Sequence, residues 1–149
     1  MRLAVFGAGS VGRSVAELAG EFGHEVVGLA DSSGAVVDDG GVAVEAALST
    51  KDETGTVGDG DPADVLEADY DALVEATPTT LGDAEPGFGH VERALKRDRH
   101  VVLANKGPVA ERYDNLMALA ADSAGEVRFE ATVAGAIPAI ATIEDRGPE

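Results

Sequence analysis

Cysteine and tryptophan are both absent from this 149-residue chain. Without cysteine, disulfides, thiol catalysis and zinc–thiolate centres are excluded. Aromatics are only 4% of the residues against 44% hydrophobic overall, so a core must be built from Val, Ala and Leu. That composition suits strands buried on both faces beneath helices. No apolar run approaches the roughly 20 residues of a membrane helix, and the stretch before the first glycines is too short for a secretory leader. A cytoplasmic location is expected, with no membrane partner. Lysine is scarce as well, limited to Lys51, Lys96 and Lys106. Against 11 basic residues stand 28 acidic ones, a net charge of −17 spread along the chain. Such a field repels nucleic acid, which is not expected as a partner. An ordinary acidic surface is one explanation; adaptation to high salt, where screening relieves self-repulsion, is the favoured one.

What is present begins at the first residues. Residues 3–6, Leu-Ala-Val-Phe, form a short apolar run of the kind expected for a buried parallel strand. They lead into Gly7-Ala8-Gly9-Ser10-Val11-Gly12, after which apolar residues recur at helical spacing: Val11, Val15, Leu18, Ala19 and Phe22. Strand, Gly-x-Gly-x-x-Gly turn and helix in that order form the dinucleotide-binding fingerprint. In it Gly7 permits the turn, Gly9 admits a pyrophosphate to the backbone, and Gly12 lets helix and strand pack closely. The phosphates would rest on free N–H groups at the helix start, favoured by the helix dipole. Arg13, in the first turn of that helix, bears on the choice of cofactor.

A second apolar run, residues 25–30, ends at Asp31, about 20 residues past the glycine turn, where the motif carries an acid for the adenosine ribose. An Asp here either accepts the ribose hydroxyls or caps a turn; the ribose role is favoured by position. A carboxylate there would repel a 2′-phosphate, and Ser32-Ser33-Gly34 offers no arginine to hold one, so NAD is favoured over NADP. Residues 33–41 read as a loop, 42–48 as a short helix, and 51–61 as exposed and irregular. Asp61 and Pro62 signal the start of a helical turn.

Residues 71–76 read as a strand running into Thr77-Pro78-Thr79, and strand ends border the ligand crevice in this fold, placing Glu75, Thr77 and Thr79 near a cofactor. A helix follows from Phe88 to the basic cluster Lys96-Arg97-Asp98-Arg99, whose cations suit a helix C-terminus. Residues 100–104 make a strand before Asn105-Lys106-Gly107-Pro108, and Tyr113, Leu116, Met117, Leu119 and Ala120 pattern another amphipathic helix. Residues 127–132 make the last strand, and residues 137–143 begin a last helix. The αβ alternation predicts one domain: a doubly wound parallel sheet of the Rossmann type with helices on both faces. His24, His90 and His100 are scattered and lack metal-ligand spacing.

Three segments together resemble the N-terminal NAD(P)-binding domain of homoserine dehydrogenase, with archaeal members the best likeness. They are residues 74–79 (Val-Glu-Ala-Thr-Pro-Thr), residues 101–110 (through Asn105-Lys106-Gly107-Pro108) and residues 130–138 (Glu-Ala-Thr-Val-Ala-Gly-Ala-Ile-Pro). Glu85-Pro86-Gly87 fits as well, so the likeness spans essentially the whole chain. It implies NAD(P)-dependent interconversion of L-homoserine and L-aspartate 4-semialdehyde, a step of threonine and methionine biosynthesis. It also implies that the Thr77–Pro78 loop borders the nicotinamide and that Asn105 lies at the cofactor. Lys106 would then stand at the junction with the amino-acid substrate, able to orient it or move the hydroxyl proton. The same likeness suggests a monovalent-cation site at Glu130, Val133 and Gly135, although Glu130 is equally well a hydrogen-bonded hinge residue.

The resemblance implies a further substrate and dimerisation domain, which these 149 residues are not expected to include. The chain is accordingly expected to bind nucleotide without turning over substrate, and the full-length protein to be a homodimer. The alternatives are a related reductase, such as aspartate dehydrogenase or dihydrodipicolinate reductase, and a free-standing NAD-binding sensor.

Overall fold

A computed structural model of the chain describes residues 1–133 and 139–146. Strands β1 (Arg2–Phe6), β2 (Glu25–Ala30), β3 (Ala35–Val37), β4 (Ala72–Glu75), β5 (His100–Leu103) and β6 (Val127–Arg128) form one sheet in the order β3-β2-β1-β4-β5-β6. The helices are α1 (Ser10–Leu18), α2 (Val44–Thr54), α3 (Pro62–Glu67), α4 (Gly87–Lys96), α5 (Gly107–Ala121) and α6 (Ala139–Arg146). Side chains alternate across the central strands, and both faces are buried. Leu3, Val5, Val26, Leu29, Ala72 and Val74 pack with Ala16, Ala47 and Leu48 on one side. Phe6, Val27, Leu73, Val101 and Leu103 pack with Val65, Phe88, Val91 and Leu116 on the other. This is the doubly wound Rossmann-type architecture.

The sheet is parallel except at one edge, where β3 runs antiparallel to β2, pairing Ala35 with Ala30 and Val37 with Gly28. Residues 33–41 were expected to be only a loop. The reversal is made by Asp31, whose Oδ1 accepts the N–H groups of Ser33 and Gly34 while its own N–H bonds to Gly34 O. A turn that tight can only deliver an antiparallel neighbour, because a parallel one needs a long crossover.

Three further elements differ from expectation. Helix α2 continues to Thr54, into the stretch read as irregular, and stops at Gly55, whose φ of 88° closes the C-terminus by donating to Lys51 O. The last strand is only Val127–Arg128, and Glu130–Thr132 turns as a 3-10 helix. In α1 the large apolar residues, apart from the partly buried Val15, do not face the sheet. Gly12, Ala16 and, just past the helix, Ala19 do, whereas Val11, Leu18 and Phe22 are exposed.

Candidate functional site

The strand order reverses between β1 and β4, so the chain leaves the sheet in opposite directions on either side of a crevice at their C-terminal ends. In doubly wound folds that switch point is where ligands bind. Gly7 follows β1 with φ +96°, a conformation L side chains rarely adopt. A Cβ on Gly7 would fall onto Ala76 O and 2.7 Å from Thr77 N, so the glycine turn lies directly against the loop after β4. A Cβ on Gly12 would strike Gly7 O, which is why α1 can pack so closely on its strand. At Gly9 the situation is opposite: among the described residues a Cβ would meet nothing within 4 Å. Gly9 is the N-cap residue of α1, with no side-chain cap and no acid in the first turn. Ala8 is buried behind the turn, while Ser10 and Val11 present their backbone at the open end. Open space against an uncapped helix start suits a pyrophosphate.

The loops after β4 and β5 are tied together by one buried carboxylate. Glu75, the last residue of β4, is fully buried. Its Oε1 accepts Thr77 N at 2.9 Å and the Thr77 hydroxyl, and Asn105 Nδ2 stands at 3.5 Å. Its Oε2 lies 2.6 Å from His90 Nδ1. Asn105, also buried, bonds through Nδ2 to Thr77 Oγ1 at 3.1 Å and through Oδ1 to Gly107 N at 2.9 Å. Lys106 N reaches Thr79 Oγ1 at 3.3 Å, and the Lys106 side chain is exposed. Its ammonium forms no ion pair among the described residues, in contrast to Lys51 and Lys96. Thr77, Pro78, Asn105 and Lys106 are thus brought together beside the glycine turn. The sequence reading placed Glu75 near a cofactor but missed His90, whose lack of metal-ligand spacing hid its partner.

Asp31 makes the turn cap that its position also allowed. Its side chain is 6% exposed, and both oxygens are already engaged. Oδ1 serves Ser33 N and Gly34 N; Oδ2 takes Lys51 Nζ at 2.8 Å and Val57 N at 2.9 Å. Burial pushes its carboxyl up, but Lys51 and the N–H groups of Ser33, Val57 and Gly34 outweigh that and hold it below its ordinary value. The carboxylate therefore anchors the turn and the loop after α2 rather than standing free for ribose hydroxyls. Ser32 beside it is exposed. Arg13 is also committed, its guanidinium paired with Asp52 of α2 and its pKa raised chiefly by that hydrogen bond.

Comparison with known proteins agrees with this geometry. Residues 1–80, which run from β1 through the loop after β4, match the family described as Glutamate/Leucine/Phenylalanine/Valine dehydrogenase. The chain belongs to that dehydrogenase family. Along nearly its whole length it is also similar to homoserine dehydrogenases. The homoserine dehydrogenase of Methanocaldococcus jannaschii is 33% identical over 94% of the chain and 47% of its own length. A crystal structure of the enzyme from Thermoplasma acidophilum superimposes with a TM-score of 0.85 at 27% identity, covering 97% of this chain and 47% of the other. A hyperthermophilic archaeal homoserine dehydrogenase in complex with NADPH gives a TM-score of 0.71 at 30% identity, over 89% of this chain and 44% of the other. The chain spans about half the length of the curated relatives it matches. The match over residues 1–80 covers the fingerprint half, whereas the longer matches take in the Asn105–Lys106 loop as well.

In this dehydrogenase chain Glu130 has a structural role. Its Oε1 accepts Ile140 N at 3.0 Å and Ala141 N at 3.4 Å, closing the first turn of α6. Val133 is exposed, and Gly135 lies outside the described residues. No cluster of three or more His, Asp or Glu that could hold a metal occurs among the described residues. No described helix is long and apolar enough to cross a membrane.

Proposed function

We propose that this chain is the cofactor-binding part of a homoserine dehydrogenase, which interconverts L-homoserine and L-aspartate 4-semialdehyde with a nicotinamide dinucleotide. The observation that carries the reading is the crevice itself: Gly7 packed on Ala76–Thr77, with open space at Gly9 and an uncapped α1. The whole-length similarity to homoserine dehydrogenases supports the substrate.

The bound dinucleotide supplies or takes up the hydride at the substrate's C4. The backbone of residues 7–12 holds its pyrophosphate, and Thr77, Pro78 and Asn105 border its nicotinamide end. Lys106, exposed at the end of β5 with an unpaired ammonium, orients the substrate oxygen and gives it a proton during reduction or accepts one during oxidation. The amino-acid grip and the homodimer contacts belong to the remaining length of the longer protein. A cytoplasmic site of action fits this chemistry.

Because Lys51 neutralises Asp31, no uncompensated charge at the end of β2 repels a 2′-phosphate, and the chain accepts NADH and NADPH alike. Calorimetric titration tests both parts. Affinities for the two dinucleotides are expected within about tenfold of each other, roughly 1.4 kcal/mol. Gly9→Val is expected to abolish binding of both, and unchanged affinity in that variant would overturn the site.

A further inference from the structure

We propose that Glu75, fully buried, and His90, partly exposed, form a positioning pair that sets the nicotinamide end of the crevice without touching the cofactor. The inference rests on the dinucleotide reading above and deepens it.

A fully buried carboxylate needs hydrogen-bond donors on both of its oxygens, because water cannot replace a missing one. Glu75 has those donors, and they come from three structural units. Thr77 supplies its N–H and hydroxyl from the loop after β4, Asn105 its amide from the loop after β5, and His90 its Nδ1 hydrogen from α4. His90 is in turn fixed by Phe6 at the end of β1, with ring centroids 4.1 Å apart. One carboxylate thereby fixes the C-terminal ends of β1, β4 and β5 relative to one another.

The consequence is directional. The Thr77 hydroxyl donates to Glu75, so its oxygen is left to accept from Asn105 Nδ2 at 3.1 Å. Asn105 Oδ1 then receives Gly107 N, which places Lys106 at the start of α5 and lets Lys106 N reach Thr79. Packing alone needs no charge here, since an apolar residue of Glu75's size would fill the space. The carboxylate dictates which way Thr77 and Asn105 point, and those residues line the nicotinamide side rather than the adenosine side.

The test separates the two ends of the ligand by comparing NADH with ADP-ribose, which lacks only the nicotinamide. In the unaltered chain both bind. In Glu75→Gln one amide hydrogen must face a donor, and NADH affinity is expected to fall about tenfold relative to ADP-ribose. His90→Phe keeps the ring against Phe6 but removes the Nδ1 donor, and the same ratio is expected to fall severalfold. His90→Asn, which restores a donor on a shorter side chain, is expected to recover part of it. Because His90 is partly exposed on α4, its variants report even where Glu75→Gln does not fold. A ratio unmoved in the folded variants, whether both ligands weaken together or neither does, overturns the positioning role and leaves the dinucleotide site standing. Failure of the unaltered chain to bind either ligand overturns both readings.

Discussion

Gly9 and Gly12 share one loop but answer to different demands, and substitution should separate them. Gly12→Ala places a methyl on Gly7 O, so it is expected to cost stability on the scale of overpacking, about 2 kcal/mol or more. Gly9→Ala points into open space from a φ of −81°, so the melting temperature should hold while nucleotide affinity falls. Thermal melts and calorimetry on the two variants check this directly. The spacing of the glycines made the close packing at Gly12 readable in advance. For Asp31 position left a ribose role and a turn cap both open, because position alone cannot say which donors surround a carboxylate. Its partners Lys51 and Val57 come from the end of α2 and the loop beyond it, which read as irregular. Its depressed pKa has a consequence for stability. The ionised form is the one held by the folded chain, so its contribution is fully present above the ordinary value near 3.8 and is lost as pH falls through the lower folded value. Asp31→Asn is expected to cost about 2 kcal/mol at neutral pH. In urea titrations the gap to the unaltered chain should close in strong acid; a constant gap would make the carboxylate's charge irrelevant.

At the scale of elements, the order of strands and helices was legible because β1, β2, β4 and β5 are short apolar runs between glycine, proline and polar breaks. The face of α1 was not. Periodicity marks an apolar stripe but does not say what it meets, and close approach at the glycine turn puts Gly12, Ala16 and Ala19 against the sheet, with Val15 partly buried beside them. Val11, Leu18 and Phe22 are left to line an exposed groove with Leu3 and His24. The basic cluster does end α4, with Arg93 and Lys96 in its last turn, but local sequence did not show where Arg97 reaches. Arg97 does not serve its own helix. Its guanidinium donates to the carbonyls of Leu66, Glu67 and Ala68, closing the end of α3, and lies over the buried Tyr70 ring at 5.4 Å. A distant chain segment supplies the cap, so local sequence gives no sign of it. Removing the fork takes a donor from each of those carbonyls and the cation from over the ring, and Arg97→Ala is expected to lower stability by about 2 kcal/mol. Arg97→Lys should recover little, since a point charge cannot span three acceptors over a ring. Urea midpoints of the two variants make the comparison.

Over the whole molecule the excess of acid dominates. The arginines are already shared among carboxylates: Arg2 faces Glu25, Asp39 and Asp69, and Arg99 also turns to Asp69. With 28 acids and 11 bases, most carboxylates have no cation to meet. Salt acts on this surface in two opposed ways. It weakens the exposed ion pairs, each worth about 0–1 kcal/mol. It also removes repulsion among the unpaired acids, whose reach shrinks from about 30 Å at 0.01 M to about 3 Å at 1 M. Because the unpaired acids outnumber the pairs, relief of repulsion is the larger effect, and the melting temperature should rise from millimolar to molar potassium chloride. Screening alone levels off once its range falls below the spacing of neighbouring carboxylates. A further rise must come from stronger burial of the Val-, Ala- and Leu-rich core, which salts excluded from the surface promote. At equal ionic strength sulfate should therefore stabilise the chain more than chloride does, with the difference widening above about 1 M. Melting curves in the two salts separate the contributions. A curve flat in both would reduce the acidity to ordinary surface composition, and a rise that saturates identically in both would leave screening as its whole effect.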